Sequence, residues 1–320
     1  MNHLKEKFLA ALEQEGYAEH GYYSVENLGN QIYHMHEGTK TVPPGTLRNP
    51  GDPASMNNPS SVYFAVEGDE LLVIDGGNIP AEGSAAEKDA KFILDTFGEN
   101  KKVSFALTHS HGDHIGLLMN RSVTENLEIK AVYLGREDYA DDPESFRFGI
   151  ETCSPWKDKT ILLEDGDSFT VNGSVYETCM IPGHTPGSAV FIQRDRKAVF
   201  TGDAAGSGYV WIFWQYGNNP LGMLEDGIRN MLLRTNDLDE LHFYAGHRWQ
   251  QFYALNPEHP GETGRWYAED MLKVLKGLKD GTAVKHAYPV MKDGVEVYLK
   301  GCRAKIDTTE LLIREYLAND

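Results

Sequence analysis

Short runs of alternating apolar and polar residues cover much of the chain, and segments with helical spacing separate them. The segments VYFAVEGDELLVIDGG, TILLEDGDSFTVNGSVYETCMI and GSAVFIQRDRKAVFTGD predict strands, since turn residues interrupt each alternating run. The predicted turns are Gly68–Asp69, Asp165–Gly166, Asn172–Gly173 and Asp195–Arg196. Helical spacing predicts helices over AEKDAKFILDTFG, MLEDGIRNMLLRTN and GRWYAEDMLKVLKGL. Mostly antiparallel strands with helices between them indicate a layered α/β fold.

The N-terminal segment predicts one more helix and a long loop. Leu4, Phe8 and Leu12 recur at helical spacing, which indicates an amphipathic helix packed on the body of the protein. Residues 38–60 are rich in Gly, Pro, Asn and Ser, and this composition predicts a long loop or insertion. Loops of this length often carry function, so it is a candidate wall or lid of a pocket.

The C-terminal tail predicts a helix, a hairpin that turns at Asp293–Gly294, and a last helix after Thr308–Thr309. No segment has the composition of a linker. We therefore expect a single domain over residues 1–320, with its core over about 60–250. The N-terminal extension and the helix-hairpin-helix tail would elaborate that core.

Charge and cysteine content narrow the function classes. Lys and Arg total 30 against 48 Asp and Glu, a formal net charge of −18. Nucleic acid and anionic lipid both need basic surface, so neither is an expected partner. No stretch approaches the roughly 20 apolar residues that cross a bilayer, and no apolar signal-peptide region opens the sequence. The cysteines Cys153, Cys179 and Cys302 are far apart and odd in number, which favours a reducing cytoplasm.

The motif THSHGDHIG concentrates possible metal ligands directly after an apolar strand over 103–107. Its candidate ligands are His109, His111, Asp113 and His114. A loop that follows a buried strand can direct several side chains at one point, whereas a helix would scatter them around its axis. Imidazole and carboxylate together suit zinc, and also iron or manganese.

Three further candidates follow other predicted strands. His184 lies in IPGHTPGS, Asp203 lies in VFTGDAA, and His247 ends LHFYAGH. His242 is the alternative to His247, but it begins its strand and should lie away from the end where the other candidates gather. Each position alone has an ordinary structural explanation, while their recurrence at strand ends favours one metal site.

These motifs, taken in order, resemble those of the metallo-β-lactamase-fold hydrolase superfamily. LLVIDGG matches the first motif of that family, and the resemblance covers about residues 60–250. It implies a four-layer αββα sandwich with two mostly antiparallel sheets and a dinuclear metal site at one edge. The most similar branches are the glyoxalase II, lactonase and esterase-like members.

The resemblance also implies a role for each residue. Three ligands of the first metal would be His109, His111 and His184. Three ligands of the second would be Asp113, His114 and His247. Asp203 would bridge the two ions, and Asp75 would orient ligands through hydrogen bonds. Its other interpretation is a turn residue at the end of a strand.

The implied chemistry is hydrolysis of a small molecule by a hydroxide that bridges two divalent ions, most simply zinc, with iron or manganese as alternatives. An ester, lactone, thioester or phosphodiester would be the substrate. Asp113 would pass a proton to the leaving group, so Asp113 and Asp75 are the candidate catalytic residues.

Departures from other branches argue against β-lactam hydrolysis and against a flavodiiron oxidoreductase. Asp203 stands where true β-lactamases of this fold lack a bridging aspartate, and His111 stands where flavodiiron oxidoreductases have glutamate. Two alternatives stay open: a mononuclear iron enzyme similar to persulfide dioxygenases, and a metal-binding protein without catalysis.

An aromatic segment follows Asp203 closely in sequence and offers a candidate substrate pocket. The candidate pocket residues are Trp211, Phe213, Trp214 and Tyr216. The same side chains could instead fill the core or form a homodimer contact. His34 and His36 lie two apart in IYHMHEG, so a strand would place both on one face, with a second metal site as an alternative to a structural role.

Overall fold

The computed structural model describes residues 2–40, 60–78, 80–139, 156–205, 209–212, 219–248 and 264–282, and the backbone of 284–292, 295–306 and 309–314. The chain divides into two compact units. Unit 1 comprises Met1–Leu134, Tyr139–Leu162 and Phe169–Val175. Unit 2 comprises Gly135–Asp138, Leu163–Ser168 and Tyr176–Asp320. The prediction of a single domain over 1–320 stays a prediction.

The first sheet has eight strands in the order β1-β2-β3-β4-β5-β6-β7-β8. Their bounds are β1 Tyr17–His20, β2 Tyr23–Asn27, β3 Ile32–Glu37, β4 Ser61–Glu67, β5 Glu70–Ile74, β6 Lys102–Leu107, β7 Glu128–Gly135 and β8 Thr160–Leu163. Neighbours from β1 to β5 pair antiparallel, whereas β5, β6 and β7 pair parallel. Because β5 and β6 run the same way, the residues that follow them lie at the same edge of this sheet.

Helices complete unit 1. They are α1 Asn2–Gln14, α2 Ala85–Gly98, α3 Gly116–Met119 and α4 Arg121–Thr124. The Ser84 side chain accepts the amide hydrogen of Glu87 and so caps α2. Phe8 and Leu12 of α1 are buried as predicted, but Leu4 is half exposed because it lies in the first turn, where the packed face begins. The core of unit 1 includes Phe64, Phe105 and Leu94.

The second sheet has five strands in the order β14-β12-β11-β10-β9. Their bounds are β9 Ser168–Val171, β10 Ser174–Met180, β11 Ala189–Gln193, β12 Ala198–Gly202 and β14 His242–Ala245. β11 pairs antiparallel with both β10 and β12, whereas β12 and β14 are parallel. It follows that β10, β12 and β14 run in one direction, so the residues after them reach one edge.

Unit 2 contains the helices α5 Pro220–Arg234 and α6 Arg265–Asp280. Its core includes Val190, Val199, Met231 and Met271. A third sheet has the order β13-β17-β16-β15, with β13 Tyr209–Trp211, β15 Val284–Lys292, β16 Val295–Ile306 and β17 Thr309–Arg314. Among the described residues, no helix is long and apolar enough to cross a membrane.

The predicted last helix after Thr308–Thr309 is wrong over Thr309–Arg314, which form β17. This strand pairs antiparallel with β16 and parallel with β13, so it lies inside the third sheet. Hydrogen bonding on both sides outweighs the weak helical preference of a short segment such as TELLIR. Lys292 pairs with Val295, as the predicted hairpin requires, while its predicted turn Asp293–Gly294 lies outside the described residues.

Candidate functional site

The candidate ligands of unit 1 lie on the loop that follows β6. His109 and His114 are fully buried, at 0% exposure, whereas His111 and Asp113 are partly exposed. His109 Nε2 lies 3.1 Å from His111 Nδ1, and the His109 and His114 rings are 4.1 Å apart. Two nitrogens that bind one tetrahedral ion at about 2.0–2.1 Å are separated by roughly 3.3 Å, so this spacing suits a shared metal.

Asp75 follows β5 and forms hydrogen bonds with residues of that loop. It is 1% exposed and has a left-handed backbone with φ of 58°. Its carboxylate accepts hydrogen bonds from the Thr108 amide at 2.8 Å and from the Thr108 hydroxyl at 2.9 Å. It also lies 3.0 Å from His114 Nδ1. Because an ionised carboxylate only accepts, His114 carries its proton on Nδ1 and its lone pair on Nε2.

Thr108 extends the same logic to His109. Its hydroxyl donates to Asp75, so Thr108 Oγ1 accepts from His109 Nδ1 at 3.1 Å. His109 therefore also presents the lone pair of Nε2. A carboxylate that fixes the tautomer of a histidine is typical of metal sites. Thr108 is not among the residues predicted from the sequence, although it opens the same THSHGDH motif.

Backbone hydrogen bonds join the Asp75 turn to the ligand loop. The Gly76 amide donates to the His114 carbonyl at 2.5 Å, and the Leu117 amide donates to the Gly76 carbonyl at 2.8 Å. A Cβ on Gly76 would lie 2.9 Å from the carbonyl carbon of Ile115, closer than real contacts allow. A larger residue at Gly76 would therefore separate Asp75 from the histidine that it orients.

The candidate ligands of unit 2 come from three separate strand ends. His184 follows β10, Asp203 follows β12 and His247 follows β14. Asp203 Oδ2 lies 3.5 Å from His184 Nε2 and 3.2 Å from His247 Nε2. One carboxylate oxygen thus meets both imidazoles, as the common strand direction requires. The Gly246 amide donates to the Gly202 carbonyl at 2.8 Å and holds the ends of β12 and β14 together.

The donor types of the candidate ligands suit a divalent metal. The side chains that belong to groups able to hold an ion are His109, His111, Asp113 and His114 of unit 1 and His184, Asp203 and His247 of unit 2. Neutral imidazole with carboxylate suits zinc, manganese or iron. His242 is exposed at the start of β14, at the opposite end from His247, which agrees with the prediction that it lies away from the other candidates.

The remaining sequence candidates do not join these groups. Trp211 belongs to β13 by its backbone, while its side chain and Phe213, Trp214 and Tyr216 lie outside the described residues. Most of the loop over 38–60 lies outside them as well.

His34 and His36 share one face of β3 as predicted, with ring centroids 5.2 Å apart. His34 contacts Ser61 Oγ at 2.9 Å and Glu26 at 3.3 Å, which indicates a structural role. Within the described part of the chain, the groups that could hold a metal include neither histidine.

Comparison with known proteins gives one family and several relatives. The family model of the metallo-beta-lactamase superfamily matches residues 57–241. The chain is 30% identical over 147 residues to hydroxyacylglutathione hydrolase GloC of Haemophilus influenzae, covering 44% of this chain and 66% of that protein. It is 27% identical over 147 residues to an atrochrysone carboxyl ACP thioesterase of Claviceps purpurea, covering 45% of this chain and 39% of that protein. The match thus spans less than two thirds of either relative.

Solved structures agree in fold. The crystal structure of a metallo-β-lactamase from Hirschia baltica matches with a TM-score of 0.52 and 15% identity, over 80% of this chain and 98% of that one. At this identity the likeness concerns the fold alone. The predicted α/β class with two mostly antiparallel sheets is confirmed.

Proposed function

We propose, because this chain belongs to the metallo-β-lactamase superfamily, that it is a metal-dependent hydrolase of a small acyl substrate. The observation that carries the proposal is the Asp75–His114 pair. Asp75 is buried and fixes His114 with its lone pair on Nε2, through a 3.0 Å contact. Burying an ionised carboxylate is costly, and orienting a ligand for a cation gives that burial a purpose.

We assign a set of ligands to each of two divalent ions. For the first ion the ligands would be His109, His111 and His184, for the second they would be Asp113, His114 and His247, and Asp203 would serve both. Support comes from the convergence of His184 and His247 on one oxygen of Asp203, at 3.5 and 3.2 Å. Zinc is the first choice, and manganese or iron also suits these ligands.

The protein's own residues then carry out positioning and proton transfer. When bound, two divalent ions lower the pKa of a water and polarise the substrate oxygen. Asp75 and Thr108 hold His114 and His109 in the tautomers that bind cations. Asp113 is partly exposed, and we assign it the proton that goes to the leaving group.

Thioesters are the favoured substrate class, ahead of esters, lactones and phosphodiesters. One relative is named a hydroxyacylglutathione hydrolase and another an ACP thioesterase. A small-molecule substrate, a cytoplasmic location and a homodimer through the aromatic segment belong to the same proposal.

Metal analysis of the purified protein tests the proposal first. We expect close to two zinc or manganese ions per chain, and loss of activity on chelation with recovery on adding metal back. One iron per chain with oxygen consumption on a persulfide would support the oxygenase alternative instead. A fully loaded protein that turns over no ester, lactone, thioester or phosphodiester would support the non-catalytic alternative.

A matched pair of histidine variants sharpens the assay. His247→Ala removes a proposed ligand, whereas His242→Ala removes an exposed histidine from the other end of the same strand. We expect His247→Ala to lose metal and thioester hydrolysis and His242→Ala to keep both. If His247→Ala keeps as much metal and activity as His242→Ala, His247 is not a ligand.

A further inference from the structure

We propose that Asp138 is a positioning residue that holds the loop between β10 and β11, residues 181–188, in the geometry needed to bind metal. This segment is called the His184 loop, and the inference rests on the proposed function. Asp138 ends a short 3-10 helix, Arg136–Asp138, directly after β7. It is 1% exposed, so its carboxylate is fully removed from solvent. A buried carboxylate is stable only when other groups donate hydrogen bonds to it, and two such donors come from the loop that carries His184.

Both oxygens of Asp138 bind the residues just after His184. Asp138 Oδ2 accepts from the Thr185 hydroxyl at 2.8 Å, and Oδ1 accepts from the Gly187 amide at 2.6 Å. Distances this short are typical of hydrogen bonds to an ionised acceptor. One side chain thus holds the loop at two points, on the residue next to His184 and on the residue three positions beyond it.

The hydroxyl groups of the loop form a chain with one direction. Thr185 donates its proton to Asp138, so Thr185 Oγ1 accepts from the Ser188 hydroxyl at 2.8 Å. Ser188 Oγ in turn accepts the Thr185 amide at 3.0 Å. Every donor in this chain points toward the carboxylate, which therefore sets the orientation of the whole loop.

The loop packs closely against Asp138 and the end of β7. A Cβ on Gly187 would lie 2.5 Å from the Asp138 amide nitrogen, and a Cβ on Gly135 would lie 2.1 Å from the Gly187 carbonyl oxygen. The loop also closes on itself, since the Ile181 amide donates to the Ser188 carbonyl at 2.8 Å. A displacement at Asp138 therefore reaches His184 rather than being absorbed within the loop.

His184 is the proposed ligand that depends on this arrangement. It is 3% exposed, with Nε2 3.5 Å from Asp203 Oδ2. Without the Asp138 carboxylate, Thr185 and Gly187 lose their acceptor, and the peptide that carries His184 loses its nearest support. We infer that metal affinity, more than chemistry, depends on Asp138.

Cobalt binding to the purified metal-free protein tests the inference, with affinity measured by chelator competition and ligand geometry by the visible absorption of Co²⁺. We expect Asp138→Ala to weaken Co²⁺ binding about 10–100-fold and to change the Co²⁺ spectrum. Asp138→Asn keeps the shape and one acceptor, and its amide can donate to Thr185 if the hydroxyl chain reverses. It should therefore restore binding close to that of the unchanged protein.

Two further variants separate positioning from folding. Met231→Ala leaves a cavity in the core of unit 2, where Met231 is 0% exposed, and should lower thermal stability without changing Co²⁺ affinity. Thr185→Val removes one donor to Asp138 without changing side-chain shape, so it should weaken Co²⁺ binding even if Asp138→Ala fails to fold. Thr185→Ser keeps the hydroxyl and should bind normally.

The outcomes are distinct. If Asp138→Ala and Thr185→Val bind Co²⁺ as tightly as the unchanged protein, with the same spectrum, Asp138 serves folding alone and the inference is wrong. If Met231→Ala weakens binding as much as Asp138→Ala, the effect is general destabilisation and the inference is again wrong. If the unchanged protein itself binds no Co²⁺, the proposed function fails, and the inference fails with it.

Discussion

The candidate ligands of unit 1 and those of unit 2 are assembled in contrasting ways. In unit 1 the candidates occupy one loop after β6. Asp75, which follows the neighbouring parallel strand β5, contacts His114 directly and orients His109 through Thr108. In unit 2 the candidates come from three strand ends and meet at Asp203. The unit 1 candidates lie close together because they are neighbours in sequence. The unit 2 candidates lie close together because β10, β12 and β14 run in the same direction.

This difference predicts which substitutions would displace each set of candidate ligands. The unit 1 loop depends on one buried carboxylate in a left-handed backbone conformation, with φ of 58° at Asp75. The unit 2 ligands depend on the registers of β10, β12 and β14 and on the fit of the His184 loop against Asp138. Substitutions that test the two regions in parallel should therefore have different signatures.

Removing a ligand is the largest expected effect. Asp203→Ala deletes the carboxylate proposed to touch both ions, whereas His114→Ala deletes a ligand of one ion. We expect Asp203→Ala to lose most bound metal and His114→Ala to keep about one ion per chain, with activity lowered more than about 100-fold in both. Elemental analysis after dialysis measures this, and equal metal loss in the two variants would contradict the bridging role.

Asp75→Asn should have the next largest effect. The amide can still accept from the Thr108 amide, and Asn tolerates a left-handed backbone. Its NH₂ group would face His114 Nδ1, which favours the tautomer with the proton on Nε2. We expect metal affinity to fall about 10–100-fold, with a smaller change in thermal stability.

Asp75→Gly is the control for that variant, since it relieves the backbone conformation but removes every acceptor. It leaves a buried amide and hydroxyl of Thr108 unsatisfied, at about 1–3 kcal/mol for each lost partner. Urea unfolding of the metal-free proteins checks that Asp75→Gly lowers the free energy of unfolding more than Asp75→Asn does. An Asp75→Asn variant that binds metal normally would show that the tautomer of His114 is set by other groups.

Glycines in the two ligand loops give a comparison of intermediate size. A Cβ on Gly187 would lie 2.5 Å from the Asp138 amide nitrogen, whereas a Cβ on Gly112 would meet no atom within 4 Å. We expect Gly187→Ala to cost about 1–3 kcal/mol of unfolding free energy through overpacking, and Gly112→Ala to change it by less than about 0.5 kcal/mol. Chemical denaturation of the metal-free proteins measures both, and similar values would mean that the His184 loop adjusts freely.

A partly buried histidine and a buried cysteine should give the smallest effects, with opposite pH directions. In unit 1, burial lowers the pKa of His20, and Asp89 only partly offsets this. The folded state then favours the neutral imidazole. The stabilisation is complete above the unfolded pKa of about 6.5 and is lost as the pH falls below it. His20→Phe keeps the stacking on Phe92 and should reduce the loss of stability between neutral and acidic pH.

In unit 2, burial raises the pKa of Cys179 to about 12. The folded state favours the thiol, so this stabilisation is complete below the unfolded pKa of about 8.5 and is lost as the pH rises toward the folded value. We expect iodoacetamide to leave Cys179 unmodified in the native protein at mildly alkaline pH and to modify it in urea. Mass spectrometry of the Cys179 peptide checks this, and rapid native modification would show that the strand opens.

The sequence alone predicted most of the elements and the donor types of the candidate ligands. Turns such as Gly68–Asp69 and Asn172–Gly173, the helix over Ala85–Gly98 and the crowded loop His109–His114 depend on neighbouring residues, so local spacing predicted them. The donor types of His184, Asp203 and His247 were equally visible at their strand ends. Their role as ligands stays a prediction.

Only the tertiary structure decided the rest. Thr309–Arg314 is a strand because it pairs with β16, the strand just before it, and with β13, which lies far earlier in the chain. The tautomers of His109 and His114 follow from Asp75, which lies more than thirty positions away in sequence. Asp138 carries no signal of its own in the sequence and gains its role from contact with the His184 loop. Local propensity cannot determine such pairings, because their free energy exists only once the chain has brought the partners together.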